Sequence, residues 1–208
     1  AKKTMALAQQ LYEGVDVQNS NTGGLITYMR TDSTTISTTA LSDIRNEIEK
    51  KFGSEFLHKT VRTFKTKTKG AQEAHEAIRP TSIERSPESL QTSLSKDAIR
   101  LYDLIWKRTI ASQMSDAVHR QTVALIRNSN GTGETYIFRA TANVLQFKGF
   151  KAAYTLEDDD PNDDQSGTSL STLKENDILT SQSITPNQHF TEPPPLFTEG
   201  TLIKALEE

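Results

Sequence analysis

The stretch Gly24-Leu25-Ile26-Thr27-Tyr28-Met29-Arg30-Thr31-Asp32-Ser33 changes character halfway along. Leu25, Ile26, Tyr28 and Met29 make a short, apolar, β-prone run with glycines upstream. Arg30, Thr31, Asp32 and Ser33 follow at once, which a fully buried strand would not do. The pattern predicts a strand that leaves a core and delivers a tyrosine and an arginine to a surface. Side chains two apart on a strand share a face, so Tyr28 and Arg30 are expected to project together.

Upstream, Met5, Ala8, Leu11 and Tyr12 follow helical spacing and Gly14 is a stop signal; residues 14–24 are then a polar connection. Downstream, Ser37 caps a helix to about Lys51 with Leu41, Ile44 and Ile48 on one face, and Gly53 breaks it. The basic, threonine-rich stretch 58–70 shows no periodicity and is expected to be a mobile loop. A dense ionisable run follows, Gln72-Glu73-Ala74-His75-Glu76-Ala77-Ile78-Arg79-Pro80-Thr81. The strongest helical pattern starts at Ser95 or Lys96 and runs to about Ser115. Trp106 lies in its stripe of Ala98, Leu101, Tyr102 and Ile105 and reads as a core anchor.

From His119 the texture changes. Val123–Ile126, Thr135–Ala140 and Val144–Phe150 read as strands separated by Asn-Gly and other glycine turns, and Asp177–Ile184 resumes a strand. Thr198–Glu208 reads as a helix still running where the sequence stops. That ending, and a start without methionine, point to a piece of a longer polypeptide. The organisation expected is a helical module over 1–116, a β-rich module over 117–185 with an acidic loop at 157–168, and the start of a third element over 186–208.

Composition sets outer bounds. The 208 residues fit one large domain or two modest ones, and 34% apolar with 25% charged is ordinary for a soluble protein. No window approaches the ~18 apolar residues of a membrane span, and the start has no signal-peptide core. With 0 cysteines there is no disulfide framework or thiolate metal site, which is compatible with a reducing cytoplasm. The net charge of -3 hides an uneven spread. Lys59, Arg62, Lys65, Lys67 and Lys69 form a basic run, and Glu157, Asp158, Asp159, Asp160, Asp163 and Asp164 an acidic one.

Two constellations could carry chemistry. A phenol has a reference pKa of about 10 and needs help to act as a nucleophile. A guanidinium beside it favours phenolate and grips phosphate oxygens in a fork. Tyr28 with Arg30 therefore suits attack on a phosphate; the plainer alternative is an amphipathic strand residue beside a solvated cation. His75, Glu76 and Arg79 form the second group, either meeting a phosphate or pairing on one helical turn as a helix-end ion cluster. One histidine with scattered glutamates lacks metal-ligand spacing. The basic run fits a phosphate backbone or a solvated loop. His58, His119 and His189 have no evident partners.

These stretches, in this order, resemble the type IA DNA topoisomerase family in its bacterial form. Lys2-Lys3-Thr4-Met5 with Leu7-Ala8-Gln9-Gln10-Leu11-Tyr12-Glu13-Gly14 resembles the helix before the family's active-site strand, and Gly24–Ser33 the strand itself. Ala74–Thr81, Leu101–Trp106, Gln188-His189-Phe190-Thr191 with Pro193-Pro194-Pro195, and Leu202–Glu207 continue the match over nearly the whole chain. The longer 14–24 connection is similar to Gram-positive forms.

The resemblance implies an α+β fold: a mostly helical, winged-helix-like domain bearing the tyrosine, and a β-rich arch returning toward a gate base, all within a toroidal multidomain enzyme. It makes Tyr28 the nucleophile that forms a 5′-phosphotyrosine link, and Arg30 the holder of the scissile phosphate. It puts His75 near the phosphates, Arg79 in support, and Thr31, Asp32, Gln9 and Tyr12 in the DNA-binding surround. It further implies Mg²⁺ held by residues outside this chain, no ATP, single-stranded and negatively supercoiled DNA as partners, a monomeric cytoplasmic enzyme at the nucleoid, and an inactive isolated fragment. Two positions depart from the family: Leu196 stands where an arginine is usual, and Gly200 where alanine is. The competing possibilities are a non-catalytic winged-helix DNA-binding module and a decatenating topoisomerase III.

Overall fold

The computed structural model describes residues 2–14, 23–64, 75–129, 132–154, 170 and 172–207. Among them the order is α1 (Lys2–Glu13), α2 (Thr38–Phe52), α3 (Lys96–Gln113), β1 (Val118–Ser129), β2 (Thr135–Phe147) and α4 (Glu199–Glu207). Short 3-10 turns lie at Ser54–Phe56, Pro87–Leu90 and Gly149–Ala152. The class is α+β, as expected. No helix among the described residues is long and apolar enough to cross a membrane.

The helices start and stop where their caps are. Ser37 Oγ accepts from the Ala40 amide at 3.4 Å and Ser95 Oγ from the Ala98 amide at 3.3 Å, each satisfying a donor that a helix start leaves unpaired. Gly53, at φ 101°, closes α2 by donating its amide to Glu49 O. One core joins them: Leu11 of α1, Leu25, Ile26 and Met29 of the tyrosine segment, Ile44 and Ile48 of α2, and Ala98, Tyr102, Trp106 and Ile110 of α3. Each large side chain buried there contributes about 1.5–3 kcal/mol. Trp106 is the anchor anticipated, with Nε1 donating to Ile83 O at 2.8 Å. Tyr102 donates to Arg85 O at 2.7 Å, and its burial pushes the phenol well above its ordinary range. The two aromatics thus pin the loop over α3.

Four expectations change. The stripe of α1 narrows: Ala8 and Leu11 are buried, whereas Met5 and Tyr12 stay 43% and 39% exposed. The helix docks by one edge, leaving those two beside Tyr28. The stretch from 58 to 64 is tied down rather than loose. Leu57 bridges Met114, and the fully buried Gln113 amide accepts from Arg62 N at 3.1 Å and donates to Arg62 O at 3.0 Å. Residues 65–70 of that stretch lie outside the described residues, as do most of the 14–24 connection and the acidic 157–168 loop.

The three short strands expected after His119 are two long ones. β1 and β2 pair antiparallel from Val118↔Phe147 to Ser129↔Thr135, with an irregularity at Val118/His119. Thr141 to Asn143 continue the ladder, paired with Val123 to Gln121. The ribbon's side chains are mostly exposed; Ala142 is buried, and Phe147 at the base stacks on Phe56 at 4.9 Å. Residues 177–184 form no strand; among the described residues the sheet has only β1 and β2. α4 forms as predicted, with every described side chain exposed.

Candidate active site

Residues 24–33 form no strand: the chain bends at Leu25, Thr27, Met29 and Arg30, and one isolated bridge, Ile26↔Pro80, is their only β pairing among the described residues. Bonds on either side of that bridge hold the segment, and none of them uses the nitrogen of Pro80. Thr27 N donates to Arg79 O at 2.9 Å and Thr81 N to Leu25 O at 3.0 Å. The Thr27 hydroxyl donates to Ala77 O at 2.7 Å and accepts from Arg79 N at 2.9 Å. The other edge is joined to α1 by Leu25 N donating to Leu11 O at 2.7 Å. Gly24 is required there, because a Cβ would run into the Tyr12 carbonyl. The two stretches singled out in the sequence, 24–33 and 75–81, are therefore one clasped unit.

The clasp sets the surroundings of Tyr28. Its ring lies half-buried, edge-on to Tyr12 at 5.4 Å and 68°, and 5.1 Å from the His75 ring at 38°. Such aromatic pairs stabilise by about 0.5–1.5 kcal/mol each beyond area burial. On the outer side Tyr28 and Arg30 line an open cleft of ≈ 470 Å³ with Met5, Ala6 and Gln9 of α1. The backbone bends at Met29 and Arg30, and Met29 turns into the core. Tyr28 and Arg30 thus meet in one cleft by this bend, not by strand alternation. Among the described residues Arg30 is exposed and its guanidinium has no hydrogen bond or ion pair, so a full cation faces the cleft.

The other predicted site residues divide. His75 belongs to the Tyr28 environment through its ring. Gln9 lines the cleft and also donates its amide to Glu13. Tyr12 touches Tyr28 rather than open space alone. Thr31 caps its own turn, accepting from Ser33 N at 3.0 Å, and Asp32 is exposed. Arg79 is turned inward: Nε donates to Glu76 at 2.7 Å and Nη1 to Pro80 O at 2.9 Å, with the side chain 13% exposed. The Glu76–Arg79 pair forms without the helical turn anticipated for it, since residues 75–81 are bends and extended chain. With its fork committed, Arg79 holds the clasp together.

Met5, Ala6, Gly24 and Thr27 join the site although none of them is a site candidate in the sequence. Met5 and Gln9 are four apart on α1 and so share a face, which the helical spacing of the sequence already implies. The contacts of Thr27 and Gly24 are tertiary. Of the remaining histidines, His58 has its Nδ1 2.8 Å from Thr60 O, and Arg62 of the basic run pairs with Asp116 at 2.5 Å. Lys65, Lys67 and Lys69 lie outside the described residues. A larger cleft of ≈ 780 Å³ between β1 and residues 173–179 is lined by no tyrosine or histidine. No group of three or more His, Cys, Asp or Glu that could hold a metal ion occurs among the described residues.

Known proteins match this arrangement along its whole length. The chain is 48% identical over 208 residues to a DNA topoisomerase 1 of Rickettsia felis, covering 100% of this chain and 26% of that protein. It is 44% identical over 209 residues to a DNA topoisomerase 1 of Xylella fastidiosa, covering 25% of that protein. The chain therefore spans about a quarter of the length of the curated relatives it matches. Among solved structures, full-length topoisomerase I from Thermotoga maritima is similar with a TM-score of 0.71 and 34% identity, over 99% of this chain and 31% of that one. With the sequence model described as DNA topoisomerase matching residues 1–208, the chain belongs to the DNA topoisomerase family.

Proposed function

We propose that this chain carries the nucleophile of a type IA topoisomerase that relaxes negatively supercoiled DNA by cutting one strand, passing the other through the gap and resealing it. The observation that carries the proposal is the cleft in which the half-buried Tyr28 phenol and the unpaired Arg30 guanidinium meet. The Tyr28 hydroxyl oxygen attacks the phosphorus of a single-stranded phosphodiester. The new P–O bond links tyrosine to the 5′ phosphate, the P–O3′ bond breaks, and the 3′ oxygen leaves with a proton as a free hydroxyl. Arg30 grips the non-bridging oxygens, and its charge is worth most when theirs peaks in the transition state. His75, Thr31, Asp32 and Gln9 surround the phosphate and flanking nucleotides, while Arg79 supports the segment.

Attack by the 3′ hydroxyl on the phosphotyrosine reverses the step. One ester replaces another, so no ATP is needed. The family resemblance implies Mg²⁺, but the described residues offer it no ligand set, and no step here is routed through it. In this proposal residues 1–116 form the winged-helix-like, tyrosine-bearing domain, 117–185 a β-rich arch, and 186–208 the return toward a gate base within a toroidal monomer acting on cytoplasmic, nucleoid DNA.

The test uses Tyr28→Phe in a polypeptide of the relatives' full length that carries this chain. Covalent adduct with a single-stranded oligonucleotide is expected to vanish while oligonucleotide binding persists. Unchanged plasmid relaxation would remove Tyr28 from the chemistry. The 208-residue chain alone is expected to relax no plasmid.

A further inference from the structure

Tyr12 sits one residue before the end of α1, where the helix is bonded to the tyrosine segment. The helix end around Tyr12 is held twice: Leu11 O accepts from Leu25 N at 2.7 Å, and the Tyr12 carbonyl lies directly against Gly24. Gly24 O in turn accepts from the Thr81 hydroxyl at 2.7 Å, so this end of α1 is locked to both halves of the clasp. From that fixed point the Tyr12 ring meets Tyr28 edge-to-face at 5.4 Å, while Tyr12 itself remains 39% exposed. An apolar helix position left that exposed does little for the core. Its one described ring contact is with the proposed nucleophile.

We infer that Tyr12 is a positioning residue, which acts on the reaction by holding the Tyr28 ring in the rotamer that aims its oxygen into the cleft, and not by contacting DNA. The inference rests on the nucleophile role proposed for Tyr28. A tyrosine has three staggered χ1 wells, and the half-buried Tyr28 ring packs against the core on one side. Tyr12 closes one side of its range, with His75 as the second ring neighbour at 5.1 Å. The edge-to-face geometry needs a ring at position 12 but no hydroxyl.

The test compares Tyr12→Leu and Tyr12→Phe with wild type in a full-length polypeptide, measuring single-turnover cleavage of a single-stranded oligonucleotide and its Kd separately. Tyr12→Leu is expected to slow cleavage roughly 2- to 12-fold, the span of one aromatic pair contact, with Kd unchanged. Tyr12→Phe is expected to restore the wild-type rate. A raised Kd with an unchanged cleavage rate would make Tyr12 a DNA contact and overturn the inference. So would an unaffected Tyr12→Leu, or a Tyr12→Phe as slow as Tyr12→Leu. If Tyr12→Leu misfolds by circular dichroism, Tyr12→Met, which keeps a long apolar side chain without a ring, takes its place under the same criteria. Absence of any Tyr28 adduct in wild type would instead defeat the nucleophile proposal itself.

Discussion

Thr27→Val isolates the clasp that joins the two site-bearing stretches. Valine keeps the shape of threonine but supplies neither the donor to Ala77 O at 2.7 Å nor the acceptor for Arg79 N at 2.9 Å. A buried polar group left unmatched costs about 1–3 kcal/mol. These groups are part-buried, so about 2 kcal/mol is expected for the pair, and at ~1.4 kcal/mol per decade local opening becomes roughly 30-fold more frequent. The amide at position 27, which donates to Arg79 O at 2.9 Å, reports that opening directly by native-state hydrogen exchange. Its protection should fall roughly 30-fold in Thr27→Val, while amides inside α3 such as that of Ile110 stay unchanged. Thr27→Ser keeps the hydroxyl and loses one methyl group, so its exchange should rise by about fourfold at most. Equal protection in wild type and Thr27→Val would refute the clasp. A serine variant as exposed as the valine one would show that the methyl, not the hydroxyl, holds the segment.

Two further predictions concern stability. Gln113→Leu leaves the Arg62 amide and carbonyl without the partners they have at 3.1 and 3.0 Å; a loss of about 2 kcal/mol should lower the thermal midpoint by roughly 4–8 °C and free the Arg62 amide to exchange. An unchanged midpoint would mean that the 57–62 segment does not depend on that side chain. Glu88 has its carboxyl held below the ordinary 4.5 by the Ser86 hydroxyl and its own amide. A folded-state pKa below the unfolded one stabilises above the unfolded value and is lost as pH falls through the folded value. The urea midpoint of Glu88→Gln should therefore lie below that of wild type at neutral pH and converge with it as the pH falls below the folded-state value of the carboxyl. A gap independent of pH would exclude the charge as its source.

Local sequence carried the helices because their signals are local. Ser37 and Gly53 bracket α2, Ser95 opens α3, and the Trp106 stripe names the buried face; each device acts within a turn of the chain. The strands were harder. A two-stranded ribbon with both faces largely exposed has no strict apolar alternation, so the polar Thr141–Asn143 stretch read as a break and not as paired backbone. Residues 177–184 differ the other way: their β-prone side chains form no strand, because β propensity alone does not supply backbone pairing.

Tyr28, Arg30 and His75 could be nominated from the sequence alone, because a tyrosine, an arginine and a histidine in those ordered signatures are chemically distinctive. How they meet was decided in three dimensions. The chain bends at Met29 and Arg30, and the bend turns Tyr28 and Arg30 into one cleft against α1. The inward turn of Arg79 onto Glu76, and the hydroxyl of Thr27 spanning 50 residues to Ala77, depend on long-range partners. The sequence by itself determined which groups were available and which segments were helical. Only the tertiary structure decided which cation stayed free to face the tyrosine, because a guanidinium's role follows from who else has claimed its donors.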